Sequence, residues 1–409
     1  MSNRLDESSK KTNRRTTLHP QCASCFSLRR QLFEMVPGEN NCRKTFSFIF
    51  VPFSKAIRMR PVQILSIFFL LATLQVSGKP LLLSEKELDS PPPRIIRTCC
   101  SFGSEVGMAV IPFMKFTDIT STGRLGNHHF LGDDTEGNGI IYSARGGFID
   151  LGHLRDQADW TAYLFALIRQ QQDQGCIIQK LGNEGGEKVL KISVPAGASE
   201  ADLLLLAGRI AYDLSVWHEI ATWFGASYLP LIPERYSSFS VEDCYSNLLG
   251  VMLGMEALQS ELPYEEAMTR LICKKLEELE AVSTEAATFE AMEAVRNIWW
   301  TRDKRLPSAK ILLLRQTNVY TTLTPSLIPG DHGTTPEPVA LHVPERLPGG
   351  ELLTDFYELE IRLNYKFPFR KIFPGEEDRI ITQQNFDTLI RRVNQECRFR
   401  ALRSNGENR

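Results

Sequence analysis

The chain predicts an α+β fold, a single domain with a packed helical centre and strands at both ends. Three observations lead there. Between residues 151 and 301, apolar residues recur at helical spacing in five successive stretches. Ahead of them, "VGMAVIPFMKF" and "GIIYSARGGFID" read as strands parted by Gly, Asn and Asp turns. After Pro307, "KILLL" and the alternating "FYELEIRLNY" read as strands again, divided by a Pro/Gly-rich loop over residues 325–350.

Taken in order, the first 58 residues do not belong to that domain. They are basic, with 11 Lys/Arg against 4 Asp/Glu, and rich in Ser, Thr and Asn without sustained periodicity. The formal net charge of −2 over 409 residues therefore leaves an acidic body. An acidic body argues against nucleic acid as a partner, because neutralising phosphates takes clustered Lys and Arg. Residues 1–58 are expected to be disordered or a spurious extension of the reading frame, and the Cys22-x-x-Cys25 pair within them carries little weight.

At Met59 the character changes. Arg60 precedes an apolar run from Ile64 to Leu74, which closes on Val76-Ser77-Gly78. A basic start, a short apolar stretch and small exit residues are the layout of a secretory signal peptide, here over residues 59–78. The run is shorter than the roughly 20 residues a membrane span requires. A periplasmic or secreted protein with no stable transmembrane span after cleavage is expected. No cysteine follows the run closely enough for a lipid anchor. Cys99, Cys100, Cys176, Cys244, Cys273 and Cys397 remain, and sequence cannot choose among their pairings.

Residues 79–94 form a Pro-rich lead-in ("SPPPR"), and the domain is placed at 95–409. Its helices are expected near Leu151–Gln172, Glu200–Phe224, Val241–Gln259, Tyr264–Leu279 and Glu285–Thr301. "CIIQKLGNEGGEKVLKISV" should interrupt them as a hairpin, because Asn-Glu-Gly-Gly joins two apolar runs. Ser240, three residues before Asp243, gives a capping-box-like start to the third helix. Pro263 ahead of Glu265 and Glu266 suits the start of the fourth. "TQQNFDTLIRRVNQECRF" reads as a closing helix.

The functional clues are polar residues on apolar faces. "SEADLLLLAGRIAYDLSVWHEIATWFG" is apolar nearly all round, so it should be buried on most sides. Glu219 lies among its apolar residues and must be paired, hydrogen-bonded or protonated. His218 projects about 100° away over a stripe of small residues, so the two serve different neighbours. "HEIAT" lacks the second histidine of a zinc-protease helix. In "FIDLGHLRDQADWTAYLFALI", Asp150, His153 and Gln157 share the inward sector with Asp156 beside them, whereas Arg155 and Asp159 should be solvated or capping. Glu242 and Ser246 fall beside Leu249 and Leu253, and Gly250 with Gly254 makes a face for close helix contact.

Two readings of this cluster stay open. It is a buried hydrogen-bond network that fixes helix crossing, or it is a site. In the second reading Glu219, His153 and Asp150 are the catalytic candidates, and His153, His218, Glu219 and Glu242 the metal candidates. Zinc commonly takes three N/O ligands and a water, so a divalent metal such as zinc is the cofactor that set would suit. A Cys244–His153 nucleophilic pair is a further option, weakened because a cysteine on an apolar flank is usually inert. His128 and His129 are adjacent in a loop, and His332 and His342 carry no spacing signal. No G-x-S-x-G elbow, Walker A loop or dinucleotide glycine fingerprint occurs.

The segments "ARGGFIDLGHLRDQADWTAY", "HEIATWFG" and "FSVEDCYSNLLG" together resemble a bacterial family of exported proteins catalogued as domain of unknown function 4056. The resemblance implies export, a bacterial source and one coherent domain, and supplies no catalytic assignment. An exported envelope hydrolase and a non-enzymatic envelope structural or interaction protein are thus the two expectations.

Overall fold

The computed structural model describes residues 81–92, 97, 101–109, 115–226, 234–328 and 336–406. The expected N-terminal extension, the signal peptide, Cys22, Cys25, Cys99, Cys100 and His332 lie outside the described residues.

Among the described residues, eight helices and two small antiparallel sheets make a mixed α+β fold. A short helix α1 (Glu85–Leu88) leads into the hairpin β1 (Ile140–Ser143) and β2 (Gly147–Asp150), joined by a four-residue register from Ile140↔Asp150 to Ser143↔Gly147. Gly147 sits at φ +64°, and a Cβ there would come within 2.4 Å of the Ser326 carbonyl oxygen, so this turn needs glycine. Helix α2 (Leu151–Gln171) follows without a loop. Asp150 ends β2 and caps α2 at once, its Oδ1 accepting from the backbone N–H of Gly152 (2.7 Å) and His153 (3.1 Å).

A second hairpin, β3 (Ile177–Asn183) and β4 (Gly186–Ile192), separates α2 from α3 (Glu200–Trp223), which opens on a Ser199/Asp202 capping box. Next come α4 (Asp243–Leu258), α5 (Tyr264–Glu278) and α6 (Glu285–Ala294). The last ends well before Thr301; the chain there turns through Val295–Trp300 and buries Trp300 in a smaller core with Phe102, Phe148 and Met292. The expected strand at "KILLL" is a single bridge, Trp300↔Leu312, with Leu313 and Leu314 facing outward. The segment "FYELEIRLNY" does form β5 (Tyr357–Leu363), which joins the earlier hairpin in a sheet of order β3-β4-β5-β6, β6 being Ile380–Ile381. Short α7 (Phe369–Ile372) and long α8 (Phe386–Gly406) close the chain.

The centre is the triple packing of α2, α3 and α4. Seventeen of the 21 residues of α2 are buried, as a helix covered on every side must be. The α2–α4 crossing is backbone on backbone: a Cβ on Gly250 would lie 2.0 Å from the Leu154 carbonyl oxygen, and one on Gly254 would lie 2.9 Å from the Ala158 Cα. Gly250→Ala is therefore expected to lower stability by about 3 kcal/mol or more, at the upper end of overpacking costs. A urea denaturation midpoint equal to wild type would mean the helices separate without penalty. Trp217 of α3 stacks on Phe367 (5.5 Å between ring centroids) and Phe386 (5.7 Å), which fastens the helical centre to the C-terminal elements. Among the described residues, no helix is long and apolar enough to cross a membrane.

Candidate metal centre

The ends of three helices supply one cluster. His153 stands in the first turn of α2, Asp243 opens α4, and Glu219 lies in the last turns of α3. Each offers a ligand atom, and these atoms all lie within 4.8 Å of one another. His153 Nδ1 is 3.2 Å from Asp243 Oδ1. All three residues are buried, Glu219 at 2% exposure and Asp243 at 3%. The positive ends of the α2 and α4 dipoles favour negative charge here.

Glu219 accepts the Phe239 backbone N–H at 2.5 Å. Burial, then the nearby Asp243 carboxylate, push its carboxyl up to about 7. Asp150 and Glu242 flank the cluster, both fully buried. Burial raises both carboxyls, Glu242 well above its ordinary value, with Asp243 adding to the effect in each. Among the described residues, Asp150 Oδ2 and Glu242 Oε1 find no hydrogen-bond partner. Four carboxylic acids thus crowd around one imidazole. Isolated buried negative charge is costly, so such a group holds either protons or a cation.

The protons have a measurable sign. The Glu219 carboxyl is raised from 4.5 in the folded chain, so the folded state keeps a proton that the unfolded chain has released. That contribution is fully present below about 4.5 and is lost as pH rises toward 7. In chelator, wild type should lose on the order of 2 kcal/mol more than Glu219→Gln between pH 5 and pH 8, read from urea midpoints. Equal losses would show that Glu219 carries no such proton.

The other sequence candidates are placed differently. Glu242 is outside the three-donor group, its Oε2 accepting from the Ser240 hydroxyl at 2.5 Å. The expected capping box is therefore half made: Asp243 Oδ2 accepts the Ser240 N–H (2.8 Å), but the Ser240 hydroxyl turns to Glu242. Asp150 is the cap of α2. His218 leaves the cluster for Glu184 in the β3–β4 turn, with Nδ1 2.6 Å from Glu184 Oε1. Its ring stands edge-on to that of His153, 6.1 Å between centroids. Glu184 also takes the Lys188 ammonium at 2.7 Å, and despite its burial Lys188 and then His218 hold its carboxyl well below the usual range. Glu219 therefore meets His153 and Asp243, not Asp150 or Gln157. Burial pushes the Cys244 thiol well up and its Sγ faces the Gln316 carbonyl at 3.6 Å, which disfavours a thiolate beside His153.

Sequence reasoning passed over Asp243, whose place three residues after Ser240 reads as capping alone. The signal was present in the acidic pair Glu242-Asp243 opening an otherwise apolar helix. It also passed over Glu184, which a hairpin turn would normally expose.

A second polar cluster corrects the expectation for the far side of α2. Arg155 and Asp159, expected in solvent, are each 1% exposed. Arg97 donates to Glu136 (2.6 and 2.8 Å), Asp156 (2.8 Å), Asp159 (2.9 Å) and the His129 carbonyl (2.9 Å). Asp159 also meets His128 Nε2 and the Tyr264 hydroxyl, both at 3.0 Å. Burial alone would lower the Arg97 pKa, but the three carboxylates more than reverse it.

A family model described as "Protein of unknown function (DUF4056)" matches residues 87–329, more than half of the chain. The chain belongs to this family. The DUF4056 stretch contains all three converging donors and both residues of the His218–Glu184 pair, and it ends before β5. No curated protein and no solved structure matches the chain.

Proposed function

We propose that this protein is an exported hydrolase of the bacterial envelope that works through a divalent metal ion held by His153, Glu219 and Asp243. The observation that carries the reading is the convergence of those three side chains, one imidazole and two carboxylates, within 4.8 Å. One nitrogen and two oxygen donors suit Zn²⁺, and also Mn²⁺ or Fe²⁺. Three protein ligands leave a coordination position for water, the arrangement of catalytic rather than structural zinc. The surplus of buried carboxylates supplies the negative charge that a cation would neutralise. His218, oriented by Glu184 and next to His153, is positioned to exchange a proton with a group bound beside the metal. Export rests on the sequence of residues 59–78.

One observation favours the alternative, a non-enzymatic envelope protein whose cluster only locks helix packing. The three donors are at most 7% exposed, and Glu219 already accepts a backbone N–H. Elemental analysis of the mature chain, purified without chelator and metal affinity, separates the two. About one equivalent of a transition metal supports the metal centre, and none after reconstitution with Zn²⁺, Mn²⁺ or Fe²⁺ leaves the structural reading.

A further inference from the structure

Beyond α6 the chain makes a ribbon that brings aliphatic side chains and cations to the surface together. Its two arms, residues 296–300 and 311–315, meet at the Trp300↔Leu312 bridge. The Trp299 carbonyl accepts the N–H of Leu313 (2.7 Å) and of Leu314 (3.0 Å), so Ile298, next in the chain to Trp299, lies beside both leucines. Ile298 is 60% exposed, Leu313 53% and Leu314 39%. Trp299, Trp300, Ile311 and Leu312 are buried and hold the arms to the smaller core. Single exposed apolar residues are ordinary, whereas adjacent ones mark an interaction surface.

The same ribbon is basic on an acidic body. Residues 296–315 hold six Lys/Arg and one Asp, in a chain whose formal net charge is −2. Glu293 at the end of α6 takes Arg296 (3.2 Å) and Arg302 (2.5 Å), and Arg315 donates to the carbonyls of Tyr236 (3.1 Å) and Ala309 (3.2 Å). Lys304, Arg305 and Lys310 are exposed, and among the described residues their side chains make no ion pair or hydrogen bond. They lie in the loop that joins the arms. The Thr301 N–H closes that loop on the Ile311 carbonyl at 2.9 Å. Leu306 fastens it to the body, donating to the Gly107 carbonyl (3.2 Å) and accepting from the Ala109 N–H (3.0 Å).

The kind of side chain outside decides the partner. Protein interfaces are depleted in Lys and draw their anchors from Trp, Tyr and Arg; here both tryptophans are turned inward. The boundary between lipid headgroups and acyl chains takes aliphatic side chains, with Lys and Arg at the phosphates above them. We propose that this ribbon docks the protein on an anionic lipid bilayer. Ile298, Leu313 and Leu314 enter the headgroup boundary, and Lys304, Arg305 and Lys310 face the lipid phosphates. The docking rests on the ribbon alone and not on the metal centre.

The test is flotation of the full chain with phosphatidylcholine vesicles made with and without phosphatidylglycerol, read together with hydrogen exchange of peptides from 296–315. Anionic vesicles should protect these peptides and neutral ones should not. The triple variant Lys304→Gln, Arg305→Gln, Lys310→Gln should bind about 100-fold more weakly, at about fivefold per cation. Ile298→Ser with Leu313→Ser should lose about tenfold. Arg370→Gln with Lys371→Gln, an exposed basic pair on α7, should bind as wild type does. All these side chains are exposed, so urea midpoints should stay unchanged. Absence of binding, equal binding to both vesicles, no protection of 296–315, or binding that neither ribbon variant weakens overturns the proposal. Protection of the ribbon by poly-L-glutamate but not by vesicles also overturns it, and assigns the ribbon to an acidic polypeptide.

Discussion

Replacing His153 with alanine should abolish stoichiometric binding of a divalent metal, and Glu219→Gln or Asp243→Asn should each weaken it by more than about 100-fold. Those losses exceed the roughly 10- to 100-fold typical of residues that only orient a ligand. Glu242→Gln and His218→Asn should fall within that smaller range, because neither side chain belongs to the converging set. Affinity should also fall as pH drops below about 7, since Glu219 must release its proton to the cation. The slope would approach tenfold per pH unit for one proton. Competition titrations against a fluorescent chelator at pH 6, 7 and 8 read both effects. A pH-independent constant, or a His153→Ala protein that binds as well as wild type, would defeat the assignment.

The second large effect concerns folding. Arg97→Met should destabilise the chain by about 3–5 kcal/mol, because it leaves Glu136 and Asp159 buried with much of their compensation gone. The melting temperature should fall by roughly 10 °C. Arg97→Met combined with Asp159→Asn should recover part of the loss, since the second change removes one of the stranded charges. A single variant with an unchanged midpoint would mean that the ion cluster contributes nothing net. Because Asp156 also pairs with Arg97 and lies one turn from His153, the same variant tests whether the cluster steadies the start of α2.

The helical centre was legible because periodicity is a local property. The bounds of α2 and α3 fall within a residue of those expected, and the glycine pair of α4 meets α2 as its spacing suggests. Glu219 was legible as a misfit because its helix is apolar on every side. What it meets was not, since Asp243 looks the same whether it caps a helix or also faces a histidine. The solvated reading of Arg155 and Asp159 failed for a different reason. Their partners Gly126, Glu136, His128 and Tyr264 come from distant loops and from α5, and periodicity within α2 cannot register what covers its outer side. "KILLL" is apolar enough for a strand, but among the described residues it pairs only through one bridge at Leu312.

The α2–α4 crossing has a kinetic consequence. Gly250 rests on the carbonyl of Leu154, next to His153, and lies about two turns from Asp243. Two of the three donors are therefore borne on rods clamped together at the backbone, and the third on a helix packed against both. An ion seated there would leave only when helix ends breathe, so its half-life in excess chelator should follow local unfolding, on the scale of hydrogen exchange in the first turn of α2, rather than its intrinsic affinity.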